Sequence, residues 1–79
     1  MKKKIESILY EIKPELKGKK LENMLEKEGL NSFDIVRIIA ELEEIFNIQF
    51  ASEEREAENF SSIYSIHELV KSKVEKNVG

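Results

Sequence analysis

An all-α fold, a small four-helix bundle with three longer helices and one short one, is what this chain of 79 residues predicts. Three observations point there. Charged residues make up 37% of the chain and are mostly Glu and Lys, which are strong helix formers. One proline, Pro14, and three glycines are too few for a turn-rich β fold. Apolar residues recur at helical spacing in three separate stretches. The length suits one domain, residues 1–79, near the size at which a single core is barely sufficient. Without cysteine, neither a disulfide nor a thiolate metal site can reinforce that core. Stability must then come from well-packed helices or from a partner.

The first helix is expected over Lys3 to Lys13, where Ile5, Ile8, Leu9 and Ile12 form one apolar stripe. Pro14 ends it, because proline disfavours helical geometry in the residue before it. A long lysine-rich connection follows, in which Leu21, Met24 and Leu25 mark one helical turn folded against the core. Gly29 breaks this segment. From Ser32 to Phe46 the helical signal is strongest, and Ile35, Ile38, Ile39, Leu42, Ile45 and Phe46 define its buried face. Asn47 stops that helix, and Ile48 and Phe50 anchor the loop beyond it. The acidic stretch Ala51 to Asn59 holds a short helical turn, with Phe60 and Ile63 as contacts to the core. The last helix starts at Ser65-Ile66-His67-Glu68, read as an S-x-x-E capping box. Its stripe is Ile66, Leu69, Val70 and Val74, and lysines near its end suit the helix dipole.

Net charge is −3, and its distribution matters more than its sum. Lysines cluster at residues 2–4, 17–20 and 71–76, whereas acids dominate the middle, at Glu41, Glu43, Glu44 and the run from Glu53 to Glu58. An acidic centre repels phosphate backbones, so no nucleic acid is expected and a basic protein partner is. No apolar run approaches the roughly 18 residues of a membrane span, so no membrane insertion is expected. Glu6 and Glu11 interrupt any signal-peptide core, which predicts a cytoplasmic location; a monomer is expected.

The stretch Gly29-Leu30-Asn31-Ser32-Phe33-Asp34-Ile35-Val36 raises a question about Ser32. With Asn31 as N-cap, Asp34 falls at the third helical position, where an acid favours the positive helix end. Leu30 and Ile35 then occupy the two positions of a hydrophobic staple. Ser32 becomes the first helical residue, its hydroxyl free and directed to solvent, where a phosphate ester would be electrostatically favoured. In the other register Ser32 itself is the cap, and serine performs that role about as well as asparagine. On the same helix Phe33, Val36 and Ala40 fall on the side away from the core, and Glu43 and Glu44 flank them. An apolar strip beside an exposed serine has the character of a docking surface.

These motifs together resemble the small four-helix carrier proteins that bear 4′-phosphopantetheine: acyl, peptidyl and D-alanyl carrier proteins. The family's leucine-rich lead into G-L-D-S-[LF], then a helix ending E-E-x-F-x-I, is similar to Leu25 through Phe33 followed by Leu42-Glu43-Glu44-Ile45-Phe46-Asn47-Ile48. The segment from Asn59 to Val70 is similar to the family's entry into its last helix. The likeness covers nearly the whole chain in order and spacing. It implies a bundle of the acyl carrier protein type, and a phosphopantetheinyl transferase that esterifies Ser32 with the arm of coenzyme A. The arm's thiol would hold an acyl or aminoacyl group as a thioester, so the reactive sulfur would come from the cofactor. A loading ligase and downstream acyl-processing enzymes would be the partners. Asn31, Phe33, Val36, Arg37, Ala40, Glu43 and Glu44 match positions that partners read. The carrier would not be an enzyme; steering by acidic charges suits fast, reversible delivery.

Two positions depart from the family's pattern. Asn31 stands where aspartate is usual, which keeps a cap but loses a charge beside the attachment site. Arg37 stands where fatty-acid carriers commonly have an acid, and Phe33 is similar to the D-alanyl and stand-alone peptidyl types. Both imply a specialised biosynthetic carrier. The alternative is an unmodified carrier-like module that docks partners through the helix from Ser32 to Phe46. Catalysis by Ser32 would need a positioned base. The single histidine, His67, is expected on the surface in the first turn of the last helix. A four-helix metal site needs Glu-x-x-His pairs, which the sequence lacks, so no metal is expected. Tyr10 and Tyr64 read as packing groups with a wet hydroxyl.

Overall fold

In the computed structural model, which describes the backbone of residues 1–77 and the side chains of residues 1–75, all regular structure is helical. Four α-helices are present among the described residues: α1 (Lys2–Ile12), α2 (Met24–Lys27), α3 (Ser32–Phe46) and α4 (Ile63–Asn77). Ahead of Pro14, Lys13 leaves helical geometry at φ −141° and ψ 88°, and a 3-10 turn over Pro14–Leu16 then buries Leu16. The short helix, α2, is a single turn. Gly29, at φ +68°, turns the chain from α2 into α3, a backbone conformation that other residues rarely adopt. Asn47 ends α3 in the left-handed region at φ 54°, its N–H bonded to the Glu43 carbonyl. Beyond it, the acidic connection forms two 3-10 turns, Ser52–Glu54 and Ala57–Phe60, rather than one helical turn.

The core forms where the stripes of α1, α3 and α4 meet. α1 lies against both α3 and α4. It contributes Ile5, Ile8 and Leu9, α3 contributes Ile35, Ile38, Ile39 and Leu42, and α4 contributes Ile66 and Val70. The connections supply nearly as much: Leu16, Leu21, Met24, Leu30, Ile48, Phe50 and Phe60 are all buried. No polar or charged residue is buried among those described. The radius of gyration is 11.8 Å, against about 11.6 Å expected for a folded chain of this length. The helices therefore pack closely instead of splaying. Two backbone hydrogen bonds join distant connections, Met24 N–H to the Ser61 carbonyl at 2.7 Å and Ile63 N–H to the Leu21 carbonyl at 2.8 Å. They hold the α1–α2 connection against the entry to α4.

Four expectations need correction. Ile45 is exposed, because at roughly 100° per residue it falls on the edge of the face centred on Ile35, Ile38, Ile39 and Leu42. Phe46 points nearer that face and is half-buried against the core. The cap of α4 is Ser62, not Ser65: Ser62 Oγ accepts from the Ser65 N–H at 3.1 Å, and α4 begins three residues earlier than a cap at Ser65 would place it. Ser65 spends its hydroxyl on Ser62 Oγ, 2.6 Å away, and Glu68 instead lies near His67. Consequently His67 sits in the second turn of α4 and is half-buried. Tyr64, in the first turn, projects into solvent rather than packing, whereas Tyr10 is half-buried against the core. Lys76, counted in the basic end of α4, has its side chain outside the described residues. Lys73 pairs with Glu54 on the acidic connection.

Candidate functional site

The two registers open at the start of α3 are resolved by a reciprocal pair of hydrogen bonds. Asn31 Oδ1 accepts from the Asp34 N–H at 2.9 Å, and Asp34 Oδ2 accepts from the Asn31 N–H at 3.3 Å. Asn31 has the extended backbone of an N-cap, φ −113° and ψ 177°. Leu30 and Ile35, the staple positions on either side, are both buried. Initiation of α3 is thus complete without Ser32. That serine is the first residue of the helix and is exposed. Its own N–H and that of Phe33 belong to the first turn, whose donors have no acceptor within the helix.

Around the helix axis, Ser32, Val36, Ala40 and Glu43 follow one another along one flank of α3, next to the buried stripe. Opposite that flank lies the connection between α3 and α4. Between them runs a groove of about 430 Å³ lined by Ser32, Ile35, Val36, Ile39, Ala40, Glu43, Arg55 and Ala57. Most of the lining is aliphatic. Ser32 lies at one end, and the pair Glu43–Arg55 at the other, eleven residues further along the chain in α3. On the outer side of the same helix, Phe33 is 70% exposed and Val36 62% exposed, and Arg37, Ala40 and Glu44 are exposed as well. Asn31 is exposed at the same end, although its side chain is engaged in the cap.

Glu43 differs from its expected role as a free surface acid. It is half-buried, and its Oε2 accepts both from the Phe50 N–H at 2.9 Å and from Arg55 Nη2 at 3.1 Å. Arg55 also donates through Nε to the Phe50 carbonyl at 3.2 Å. Nearby, the Ala51 N–H donates to Glu54 Oε1 at 2.7 Å, and Asn59 Nδ2 to the Glu54 carbonyl at 3.0 Å. The Glu43 bonds clasp the connection onto α3 and the Glu54 bonds fix the connection's own turns, and so the second wall of the groove is built. Sequence reasoning missed Arg55 and Ala57. The signal for Arg55 was present: it is the one cation in the acidic run from Glu53 to Glu58.

A second, smaller groove of about 340 Å³ lies between the start of α1 and the start of α4, lined by Lys2, Ile63, Tyr64, His67 and Glu68. There His67 Nδ1 stands 3.5 Å from Glu68 Oε2. His67 and Ser32 line different grooves, so the structure does not bring the histidine to the serine. Among the described residues, no group of three His, Asp or Glu side chains could hold a metal ion. No described helix is long and apolar enough to cross a membrane.

No family model, no curated protein and no solved structure matches this chain.

Proposed function

We propose that this chain is a carrier of the acyl carrier protein type. Ser32 would bear a 4′-phosphopantetheine arm, and an acyl or aminoacyl intermediate would be held on it as a thioester for partner enzymes of a biosynthetic pathway. The observation that carries the reading is Ser32 itself. It is an exposed hydroxyl at the first position of a long helix, released from capping by the Asn31–Asp34 box and set at the mouth of an aliphatic groove. A phosphodiester there faces the unpaired donors of the first turn and the positive end of the helix dipole. Ile35, Val36, Ile39, Ala40 and Ala57 offer the arm's methylenes and methyls an apolar bed. The residues present therefore fit the group.

Attachment would form a bond from Ser32 Oγ to the β-phosphorus of coenzyme A and break the phosphoanhydride. Adenosine 3′,5′-bisphosphate would leave, and the serine proton would pass to the transferase. The arm supplies the thiol that this chain lacks. For its part, the chain displays the attachment point and a surface that other enzymes read: Phe33, Val36, Arg37, Ala40 and Glu44 on the outer side of α3. Incubation with coenzyme A and a broad-specificity transferase should add one phosphopantetheine mass, read by intact mass spectrometry. An unmodified protein across several transferases would overturn the reading in favour of a docking module without the arm.

Two substitutions separate attachment from docking. Val36→Asp places a charge on an exposed apolar position, so folding should change by less than about 0.5 kcal/mol. Turnover of the loaded form by its partner enzyme should fall by about tenfold or more, as lost contacts in the middle of an interface predict. Asn31→Asp keeps a side-chain acceptor for the cap and adds a negative charge beside Ser32. The expected result is faster loading by the transferase, measured as kcat/KM, with the unfolding midpoint unchanged or slightly raised.

A further inference from the structure

The end of the groove remote from Ser32 is a charged pair in a setting that is otherwise aliphatic. Glu43 uses Oε2 for both of its hydrogen bonds, and Arg55 uses Nε and Nη2 for its own. Among the described residues, neither Glu43 Oε1 nor Arg55 Nη1 has a protein partner, and both side chains line the groove. The pair is oriented by its existing bonds, so one carboxylate oxygen and one guanidinium nitrogen are left to a ligand. Two side chains joined at 3.1 Å thus offer an acceptor for a cation and a donor for a carbonyl.

We infer that this end of the groove selects an aminoacyl cargo, with Glu43 Oε1 receiving the cargo's ammonium group and Arg55 Nη1 its carbonyl oxygen. The inference rests on the carrier reading above and narrows its cargo. Ser32 and Glu43 are separated by about 16 Å along α3, at about 1.5 Å per residue. That distance is of the order of an extended phosphopantetheine chain. A groove of about 430 Å³ is also of the size that encloses a small ligand. A hydrocarbon acyl chain at this position would cover Glu43 Oε1 and Arg55 Nη1 without bonding to either. Polar groups buried unpaired oppose binding, and charged ones most strongly. An α-aminoacyl group carries both complementary groups on the same α-carbon. The charge balance agrees: Glu53, Glu56 and Glu58 on the neighbouring connection favour a cation over a carboxylate.

The test compares two cargoes that differ in the amino group alone. The full chain is loaded at Ser32 with alanyl- or propionyl-pantetheine analogues in which an amide replaces the labile thioester, and loading is verified by intact mass. Nitrogen-15 spectra of the two forms are then compared with the form bearing the bare arm. The alanyl form should displace the Arg55 Nε–H resonance and the amides of Ile39, Glu43 and Ala57, and the propionyl form should not. Glu43→Gln, which retains an acceptor for the Phe50 N–H but carries no charge, should abolish the alanyl-specific displacement while the remaining spectrum stays folded. Identical spectra for the alanyl and propionyl forms, or an alanyl effect that persists in Glu43→Gln, would overturn the aminoacyl assignment and leave the carrier reading standing. Failure of every transferase to load Ser32 would overturn both.

Discussion

Ser32→Ala should abolish addition of phosphopantetheine and leave the unfolding curve where it was, and Asn31→Ala should weaken the fold while leaving the hydroxyl in place. The contrast follows from the division of labour at the start of α3. Asn31 Oδ1 satisfies the Asp34 N–H and Asp34 Oδ2 satisfies the Asn31 N–H, so all the capping chemistry lies on those two side chains. Alanine at position 31 removes the acceptor and costs about 1 kcal/mol. In a domain of this size that lowers Tm by roughly 4–8 °C. Ser32 contributes no hydrogen bond to the cap, its side chain is exposed, and alanine is the better helix former. Its replacement should change stability by less than about 0.5 kcal/mol. Urea unfolding followed by circular dichroism measures the first quantity, and intact mass after transferase treatment the second. A destabilised Ser32→Ala variant would return the serine to the role of cap and remove the main support for its chemical one.

Phe60→Ala should produce the largest loss of stability of any single change considered. Phe60 is fully buried, in the 3-10 turn Ala57–Phe60 that packs against both α3 and α4. Its ring meets that of Phe50 edge to face, with centroids 5.4 Å apart and planes at 79°. Truncation removes the transfer energy of the ring and leaves a cavity between two helices, about 3–5 kcal/mol in comparable cores. A chain of this length has a total stability on the order of 4–12 kcal/mol. The variant should therefore be partly unfolded at 37 °C, read as lost helical signal and a collapsed urea midpoint. Tyr64→Ala is the control. That ring is 74% exposed, and its loss should shift stability by less than about 0.5 kcal/mol. The Phe60 change also bears on the candidate site. Phe60 anchors the connection that carries Arg55 and Ala57, so a milder replacement, Phe60→Leu, should loosen the groove before it unfolds the bundle.

What could be read from the residues depended on how far each signal reaches along the chain. The stripes of α1 and α3 repeat within a few residues, and the stop at Pro14 acts on its immediate neighbour. The cap at Asn31 acts three residues on. The stop at Pro14 and the stripes are present in the structure as expected, Ile45 apart, and of the two registers open at the start of α3 the structure takes the one capped by Asn31. The same kind of motif misled at Ser65-Ile66-His67-Glu68. There a valid local pattern lost to Ser62, because the Ile63 N–H bonded to the Leu21 carbonyl and Met24 to Ser61 fixed the chain's entry into α4 from outside the helix. Tertiary contact chose among several adequate local starts.

The amino-acid sequence by itself determined the all-helical class, the buried stripes and the identity of Ser32 as the spare hydroxyl of the Asn31 register. All rest on interactions between residues within about four positions of one another, which helical geometry alone sets. Only the tertiary structure decided that Asn31 holds that register, that Glu43 is bonded instead of free, and that Ser32 opens onto a groove. Glu43 and Arg55 are twelve residues apart, on opposite sides of the turn at Asn47, and they meet at one end of the groove beneath a connection whose Phe50 and Phe60 rings are buried together. Contacts of that kind leave no period or spacing in a sequence, since which side chains meet across a connection depends on where the whole core closes.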